Sequence, residues 1–256
     1  MTTLLARLGR QAKLEQRAFW RNPDYAFFTF MLPLLLLALL GAVNSGDEIG
    51  DRTDINAIDL VVPGVLAFAV IVSAYANLAS RLAVLRADGV LKRIRTTPLD
   101  PRAYLMAQLL STLVTTLLAS AATLLLGLIA FGVSPRAEGS LALALGLVLG
   151  IICFAALGLA LSSAISHADA AGPITHATYL PLALVSGVFD PSINIPGWLE
   201  TLVSLFPVQA LVEFLVAAYD PIADGIPLGA SLVLAIWGIG AIAIAMRTFS
   251  WAPSRK

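Results

Sequence analysis

The sequence predicts an all-α integral membrane protein with six transmembrane helices. Of its 256 residues, 59% are hydrophobic and only 12% are charged, whereas a soluble domain carries about 25% charged residues. Most of the surface therefore does not face water. The apolar residues fall in uncharged runs long enough to cross a bilayer, which takes about 20 residues of helix. Backbone groups in lipid must bond internally, and no barrel-type alternation is present, so these runs are expected to be helices.

Six apolar runs are long enough to cross the membrane. They cover residues 25–43, 60–80, 104–133, 140–166, 172–189 and 226–246. The third run is longer than a bilayer requires, so it is expected to tilt or to extend beyond the membrane. We expect residues 1–256 to form a single transmembrane domain, with residues 190–225 on the external side.

Lys and Arg indicate the orientation, because short loops rich in them stay in the cytoplasm. With the N-terminus inside, fourteen of the sixteen Lys and Arg residues are cytoplasmic, and only Arg52 and Arg136 fall outside. The external loops are acidic instead. The sequence therefore predicts a multi-pass protein of the cell (plasma or inner) membrane with both termini in the cytoplasm.

Residues 1–24 predict an amphipathic helix in the membrane interface. Apolar residues recur at roughly helical spacing, with Arg10, Lys13 and Arg17 between them. The apolar face is expected in the acyl boundary and the basic face toward anionic headgroups of membrane lipids. Trp20 marks the headgroup level, and the proline at 23 sets the bend into the first span. The alternative is a solvated leader that only fixes the topology.

The loop of residues 81–102, RLAVLRADGVLKRIRTTPLDPR, carries six of the sixteen basic residues. Residues 91–95 predict one helical turn with Leu91 and Ile94 on one side, and the two prolines that follow cannot continue it. The expected structure is a short helix roughly parallel to the membrane. An anchor that binds only lipid would need neither the glycine nor the prolines that make this segment rigid.

Two short amphipathic helices are predicted between the fifth and sixth spans, at residues 197–206 and 207–219. Each is too short to span alone, so together they predict a re-entrant hairpin that dips into the outer leaflet. Its marker residues are Pro196, Trp198, Glu200, Pro207 and Glu213. The two glutamates are expected on the water-facing side or toward an aqueous vestibule. The alternative is an ordinary external pair of helices with both glutamates in bulk water.

The sequence contains no constellation for catalysis or metal binding. H-E-x-x-H and G-x-S-x-G are absent, and the chain has only two His. The single Cys153 lies in an apolar run and is expected to pack as a small apolar residue. G-x-x-x-x-G-K-[ST] is also absent, so any ATP that drives this protein is hydrolysed by another chain. A net charge of zero gives no attraction to nucleic acid.

Three segments, in order along nearly the whole chain, together resemble the permease subunits of type-2 ABC transporters. That family includes daunorubicin-type drug-resistance permeases. The segments are R-N-P-D-Y-A-F-F-T-F-M-L-P at residues 21–33, D-G-V-L-K-R-I-R-T-T-P-L at 88–99, and P-L-A-L-V-S-G-V-F-D-P-S-I-N-I-P-G-W-L-E at 181–200. The family pattern often has an acidic residue a few positions before the loop glycine, whereas here Asp88 directly precedes Gly89.

The resemblance implies a coupling helix that fits a groove on an ABC ATPase subunit. The coupling residues would be Asp88, Gly89, Leu91, Lys92, Arg93, Ile94, Arg95 and Pro98. It also implies an assembly of two permeases and an ATPase dimer, in which the second permease is another copy or a homologous chain. ATP and Mg would bind the ATPase subunits, so this chain would bind no cofactor. Export as the direction of transport also rests on the resemblance.

The substrate is expected to pass along the first, second and fifth spans. The candidate contacts are large uncharged side chains, namely Phe68, Tyr75, Phe154, Tyr179 and Phe189. They favour an amphipathic drug, antibiotic or lipid-like substrate over a small ion. Closure of the ATPase dimer would push on the short helix and shift the second and third spans as a rigid body.

Three other functions stay open. One is export of a lipid-linked glycan or glycolipid, which a wide aromatic-lined groove would favour. Another is an ion-coupled secondary transporter or channel, but this requires ionisable residues within spans and internal repeats, and the sequence has neither. The last is a membrane scaffold without transport. Co-purification of a soluble P-loop ATPase would separate the two exporters from the other two functions.

Overall fold

The computed structural model describes residues 2–44, 56–94, 101–165, 167–189, 196–220 and 225–249, which are almost entirely helical. The helices are α1 (Thr2–Trp20), α2 (Pro23–Asn44), α3 (Ala57–Val70), α4 (Leu78–Ala87), α5 (Val90–Ile94), α6 (Pro101–Phe131), α7 (Ser140–Ala164), α8 (Ala171–Val185), α9 (Gly197–Val203), α10 (Pro207–Val216) and α11 (Leu228–Thr248). A π-helical segment, Ile71–Asn77, joins α3 to α4, and a 3-10 turn, Ala168–Ala170, precedes α8. The predicted all-α fold is confirmed.

The bundle is built around the second span. Within the described residues, five helical stretches are long and apolar enough to cross a membrane, as in a multi-pass membrane protein. They are Pro23–Asn44, Ala57–Ala87, Ala103–Phe131, Ser140–Ala164 and Leu228–Thr248. The second combines α3, the π-helical segment and α4. In its most apolar 18-residue window, 89% is buried inside the protein, whereas the highest value among the other four spans is 61%. The second span is therefore in contact with most of the bundle.

The fifth predicted span is shorter than the sequence indicated. Residues 172–189 were expected to span, but α8 covers only 15 residues, Ala171–Val185, or about 22 Å. The helix stops because Gly187 adopts a φ of 70°, outside the right-handed helical region. The sixth candidate span is instead the bent pair α9 and α10. The part of the chain that the structure describes thus has five candidate spans, or six if that pair is counted as one.

The second span is longer at both ends than the predicted 60–80. At its start, the Asp59 carboxylate accepts a hydrogen bond of 3.1 Å from the Asn56 backbone N–H, which stabilises an earlier helix start. At its other end the helix continues to Ala87, because Arg81 and Arg86 bond to neighbouring helices. The other four predicted spans differ from the observed helices by three residues or fewer at each end.

The region before the last span is a right-angled corner. α9 and α10 meet at 92°, so they do not form two antiparallel arms as a hairpin would. Trp237 Nε1, near the middle of α11, donates a hydrogen bond of 2.8 Å to the Leu205 carbonyl. Its ring also stacks on Phe206, with centroids 5.7 Å apart. The corner is therefore fixed against the middle of α11.

The residues predicted for the hairpin lie around this corner. Pro196 precedes α9, and Pro207 is the buried first residue of α10. Trp198, Glu200 and Glu213 are exposed, and contact of the two glutamates with an aqueous vestibule stays a prediction. The two helices end at 203 and 216 rather than at 206 and 219. Residues 190–195 and 221–224 of the predicted hairpin lie outside the described residues.

Arg136 connects the start of α7 to the end of α10. Its backbone N–H donates to the Ala218 carbonyl at 3.0 Å, and its Nη1 donates to the Asp220 carbonyl at 3.1 Å. Nη2 forms an ion pair with Glu138 at 3.1 Å. Arg136 therefore bonds the segment before α7 to two carbonyls that follow α10. We call this end of the bundle the Arg136 end, and the opposite end, which holds α1 and α5, the α5 end.

Candidate functional site

The π-helical segment places polar side chains against three neighbouring helices. Ser73 pairs with Thr116 of α6 at 2.9 Å, and the Tyr75 hydroxyl lies 2.7 Å from the Thr178 hydroxyl of α8. Asn77 Nδ2 donates to Thr29 of α2 at 2.5 Å. Hydrogen bonds between helices are favourable in lipid, where water does not compete. The second span is therefore bonded to α2, α6 and α8. π-helical turns are frequent at functional sites.

The structure brings the five predicted substrate contacts together as one aromatic cluster. Tyr75 lies near Phe154 and Tyr179, with ring centroids 6.4 and 6.2 Å apart. Phe68 lies 5.2 Å from Phe189 and 6.2 Å from Tyr179. All but Phe189 are buried. The cluster is thus part of the core of this chain, and in this conformation it is not the wall of an open path.

A cavity of about 440 Å³ lies between α2, the second span and α8. Tyr179 lines it and so joins it to the aromatic cluster. Tyr25 and Phe28 add aromatic surface on the α2 side. Among the residues that the structure describes, Asp24 is its only lining residue that is charged when His is neutral. The cavity is therefore mainly apolar and aromatic, with one carboxylate at the α5 end.

His176 gives this cavity a polar group on α8. Its Nδ1 lies 2.6 Å from the Gly172 carbonyl oxygen. A carbonyl oxygen only accepts, so Nδ1 carries a proton, and Nε2 of the neutral ring is an acceptor. The ring also contacts Tyr179, with centroids 5.6 Å apart. His176 therefore lies where a molecule bound in the cavity would meet it.

α5 has one buried side and one basic side. Gly89 links α4 to α5 with a φ of 69°, which glycine adopts without steric cost. Leu91 is fully buried, whereas Lys92 and Arg93 are exposed. The other predicted coupling residues are the exposed Asp88, the partly buried Ile94, and Arg95 and Pro98, which lie outside the described residues. The helix is thus anchored to the bundle on one side and presents cations on the other.

Arg86 joins this segment to the end of α7. The side chain is buried, with 5% of its surface exposed. Its Nη2 donates to the Ser162 carbonyl at 2.5 Å and also to the Ile165 carbonyl. These carbonyls belong to the last turn of α7, where a cation is favourable. Arg86 lies one helical turn before α5, so these bonds connect the segment next to α5 to the end of α7.

The family comparison decides which class of protein contains this arrangement. The family described as ABC-2 type transporter matches residues 10–219, which is most of the chain and includes α5, Arg86 and the cavity. The chain belongs to the ABC-2 type transporter family. It is a permease subunit, not an enzyme, and membership in this family implies association with an ABC ATPase subunit. No curated protein matches the chain at a significant level.

In this ABC-2 permease, α1 is bonded to the spans rather than resting only on lipid. Glu15 is buried and forms an ion pair of 2.6 Å with Arg81 of α4. Gln16 Nε2 donates to the Ser111 carbonyl at 2.7 Å and to Thr115 Oγ1 at 2.9 Å, both on α6. An apolar face in the acyl boundary was expected. In addition, a polar stripe of α1 docks on the protein through Glu15 and Gln16.

The predicted basic residues of α1 lie away from that stripe. Arg10, Lys13, Arg17 and Trp20 are exposed, whereas Ala12 and Phe19 are buried with Glu15. Contact of the exposed residues with anionic headgroups stays a prediction. The sequence did contain a signal for the docking. Glu15 is the one acid among the basic residues of α1, and it follows the buried Ala12 at helical spacing.

Proposed function

We propose that this permease exports an amphipathic drug, antibiotic or lipid-like molecule from the cytoplasm or the inner leaflet, powered by separate ABC ATPase subunits. The larger cavity supports this proposal. It opens between the three helices that the sequence indicated for the substrate path, at the same end as α5. Its volume of about 440 Å³ falls in the range of sites for drug-sized ligands, roughly 300–1,000 Å³.

The lining of the cavity favours a substrate with an apolar body and one positive charge. Tyr25, Phe28 and Tyr179 offer ring faces, which attract cations as well as apolar groups. Asp24 supplies the complementary charge. A lipid-linked glycan would need a wider groove, so export of a glycan remains the second candidate, without support from the cavity volume.

We place the α5 end in the cytoplasm, together with both termini, because the Lys and Arg distribution favours it. Lys92 and Arg93 would dock on the ATPase while Leu91 holds α5 to the bundle. The ATPase subunits would bind ATP and Mg. Arg86 then carries the displacement into α7, so the fourth span moves with the second. This differs from the expectation that the second and third spans move together.

A second permease, either another copy or a homologous chain, would complete the path. Tyr179 belongs to both the cavity and the aromatic cluster. A substrate leaving the cavity would therefore meet Tyr179 first and the rest of the cluster only after the helices separate. Opening of the cluster is in this proposal the step that ATP drives.

Gly172→Trp tests the role of the cavity. Gly172 lines the cavity, and a Cβ added there meets no atom within 4 Å, so a tryptophan side chain at this position would extend from an unobstructed Cβ into the cavity. We expect normal insertion and ATPase association with loss of transport. Gly240→Trp is the control, because Gly240 on α11 has the same open space outside the cavity. Full transport by the Gly172 variant would show that substrate does not use this cavity.

A further inference from the structure

A smaller cavity lies on the other side of the second span, beneath α1. Its volume is about 210 Å³, and its walls come from α1, α2, the second span and α6. Nine of its fourteen lining residues are polar, and Arg81 is the only charged one among the residues that the structure describes. Tyr25, Asn77 and Val84 separate it from the larger cavity, since all three line both spaces. The charged group in its wall is thus a guanidinium, whereas that of the larger cavity is the Asp24 carboxylate.

Gln108 indicates that the smaller cavity receives a hydrogen-bond donor. This side chain on α6 is 2% exposed, and it lines the cavity. Its Oε1 is buried and accepts no hydrogen bond from the residues that the structure describes. An unsatisfied buried acceptor costs about 1–3 kcal/mol, so folded proteins rarely leave one. A hydroxyl group in the cavity would satisfy it.

Arg81 indicates that the same cavity receives an anion. Its Nη2 is bonded to Glu15 Oε2 at 2.6 Å, but a guanidinium carries five N–H donors. Glu15 itself does not line the cavity, so the N–H donors of Arg81 that Glu15 does not bond are available on the cavity side. Arginine binds phosphate oxygens well because its planar donors match their geometry.

The position of the cavity indicates lipid as the source of the ligand. Asn22, in the turn between α1 and α2, lines the cavity. Next to it Trp20 is exposed and stacks on Phe30, with centroids 5.2 Å apart. Amphipathic helices and tryptophans lie at the boundary of headgroups and acyl chains. Phe19 and Leu78 provide apolar wall for a glycerol backbone and the first methylenes.

We propose that the cavity beneath α1 binds the headgroup of an anionic phospholipid with free hydroxyls, of the phosphatidylglycerol type. The phosphate ester meets Arg81, and a headgroup hydroxyl donates to Gln108 Oε1. A choline headgroup lacks a donor for Gln108 and would bring a second cation beside Arg81. The bound lipid fills the space between α1 and the spans, so it stabilises the docked position of α1. This site does not depend on which substrate the permease transports.

The experiment measures which lipid stays bound to the purified full-length chain. Protein is reconstituted in nanodiscs of equal phosphatidylglycerol and phosphatidylcholine, and retained lipid is counted by native mass spectrometry. We expect a preference for phosphatidylglycerol of about tenfold, as for a hydrogen bond to a charged group. Glu15→Gln together with Arg81→Gln removes this preference while leaving no unpaired buried charge. Glu15→Gln alone keeps Arg81 and keeps the preference. Gln108→Leu lowers it several-fold.

Two controls distinguish binding at this site from general attraction of anionic lipid to basic residues and from binding of a soluble phosphate ester. Arg247→Gln removes an exposed cation of α11 at the same end of the bundle, and we expect it to leave the preference unchanged. An equal loss in this variant and in the Glu15/Arg81 double variant would overturn the proposal. Millimolar glycerol phosphate in water is expected not to displace the lipid. Displacement would show that the site takes a soluble phosphate ester, which contradicts the lipid assignment.

Discussion

Arg81 and Arg86 lie on the same short helix, α4, and each is held by a different neighbour. Arg81 pairs with Glu15 of α1, and Arg86 bonds to the last carbonyls of α7. Both bonds are shielded from water, so each is stronger than a surface pair. The last turns of α4 therefore connect α1, α5 and α7. This makes α4 the most direct route from α5 into the bundle.

Arg86→Met should uncouple ATP hydrolysis from transport. Met keeps most of the volume but leaves the α7 carbonyls unbonded, which costs about 1–3 kcal/mol of stability. We expect the permease to insert and to bind its ATPase, while substrate moved per ATP falls about five- to tenfold. Arg86→Lys should restore part of the coupling, because Lys keeps the charge without the planar fork. If Arg86→Met moved as much substrate per ATP as the wild type, Arg86 would not take part in coupling.

Gly89→Ala should weaken coupling through the backbone alone. Gly89 adopts a φ of 69°, where an alanine costs about 1–2 kcal/mol, so α5 would turn away from its present direction. Gly225→Ala is the matched control, because Gly225 has a φ of 78° but lies far from α5 in the sequence. We expect reduced ATPase stimulation by substrate only for the Gly89 variant. Equal effects would mean that strain, not the direction of α5, is responsible.

The second span connects the helices of the bundle through hydrogen bonds. Its π-helical segment puts Ser73, Tyr75 and Asn77 in contact with three different helices. Asn77 and Tyr75 reach α2 and α8, which line the larger cavity, and Ser73 reaches α6. The segment therefore holds the helices of the cavity together in the conformation described here.

Tyr75→Phe and Thr178→Val test this bonding as a double-mutant cycle. The two hydroxyls lie 2.7 Å apart, and such bonds between membrane helices contribute about 0.6 kcal/mol on average. We expect each variant to lower the free energy of unfolding in detergent micelles, and the double variant to lose less than the sum. Additive losses would show that the two hydroxyls do not interact. Thr123→Val is the control, since Thr123 bonds only within α6.

The sequence predicted the elements better than it predicted their connections. Four spans were placed to within three residues because charges, prolines or glycines bound uncharged runs. The fifth was extended too far because the apolar composition continues past Gly187, whose positive φ ends α8. Arg86 was assigned to a basic loop, although it follows the buried Leu78 and Leu82 at four-residue spacing. Burial of a charge depends on a partner from a distant segment, and one sequence does not reveal that partner.

At the scale of the whole molecule, the α5 end holds the parts through which the proposed uptake and coupling would act. The two cavities, the docked α1, α5 and Arg86 lie there, whereas at the other end Arg136 donates hydrogen bonds to the Ala218 and Asp220 carbonyls, just after α10. A substrate would thus be taken up at the α5 end and released after the core separates. The proposed direction is export only if the α5 end faces the cytoplasm.

Cysteine labelling tests this orientation. Cys153 is the single cysteine and is buried, so Cys153→Ala gives a background without reactive thiols. Arg10→Cys on α1 and Arg136→Cys at the other end replace exposed or partly exposed residues. In intact cells, a membrane-impermeant maleimide should label the Arg136 position and spare the Arg10 position. The reverse pattern would place the α5 end outside and contradict export.

ATP-driven export is tested most directly by transport into inside-out vesicles that contain the permease and its ABC ATPase partner. The measurement is ATP-dependent accumulation of a fluorescent amphipathic cation. We expect accumulation that needs ATP hydrolysis and persists without a proton gradient. It should be lost in Gly172→Trp but not in Gly240→Trp. Accumulation that follows the proton gradient and continues with a hydrolysis-deficient ATPase would contradict the claim that this chain is an ATP-driven exporter.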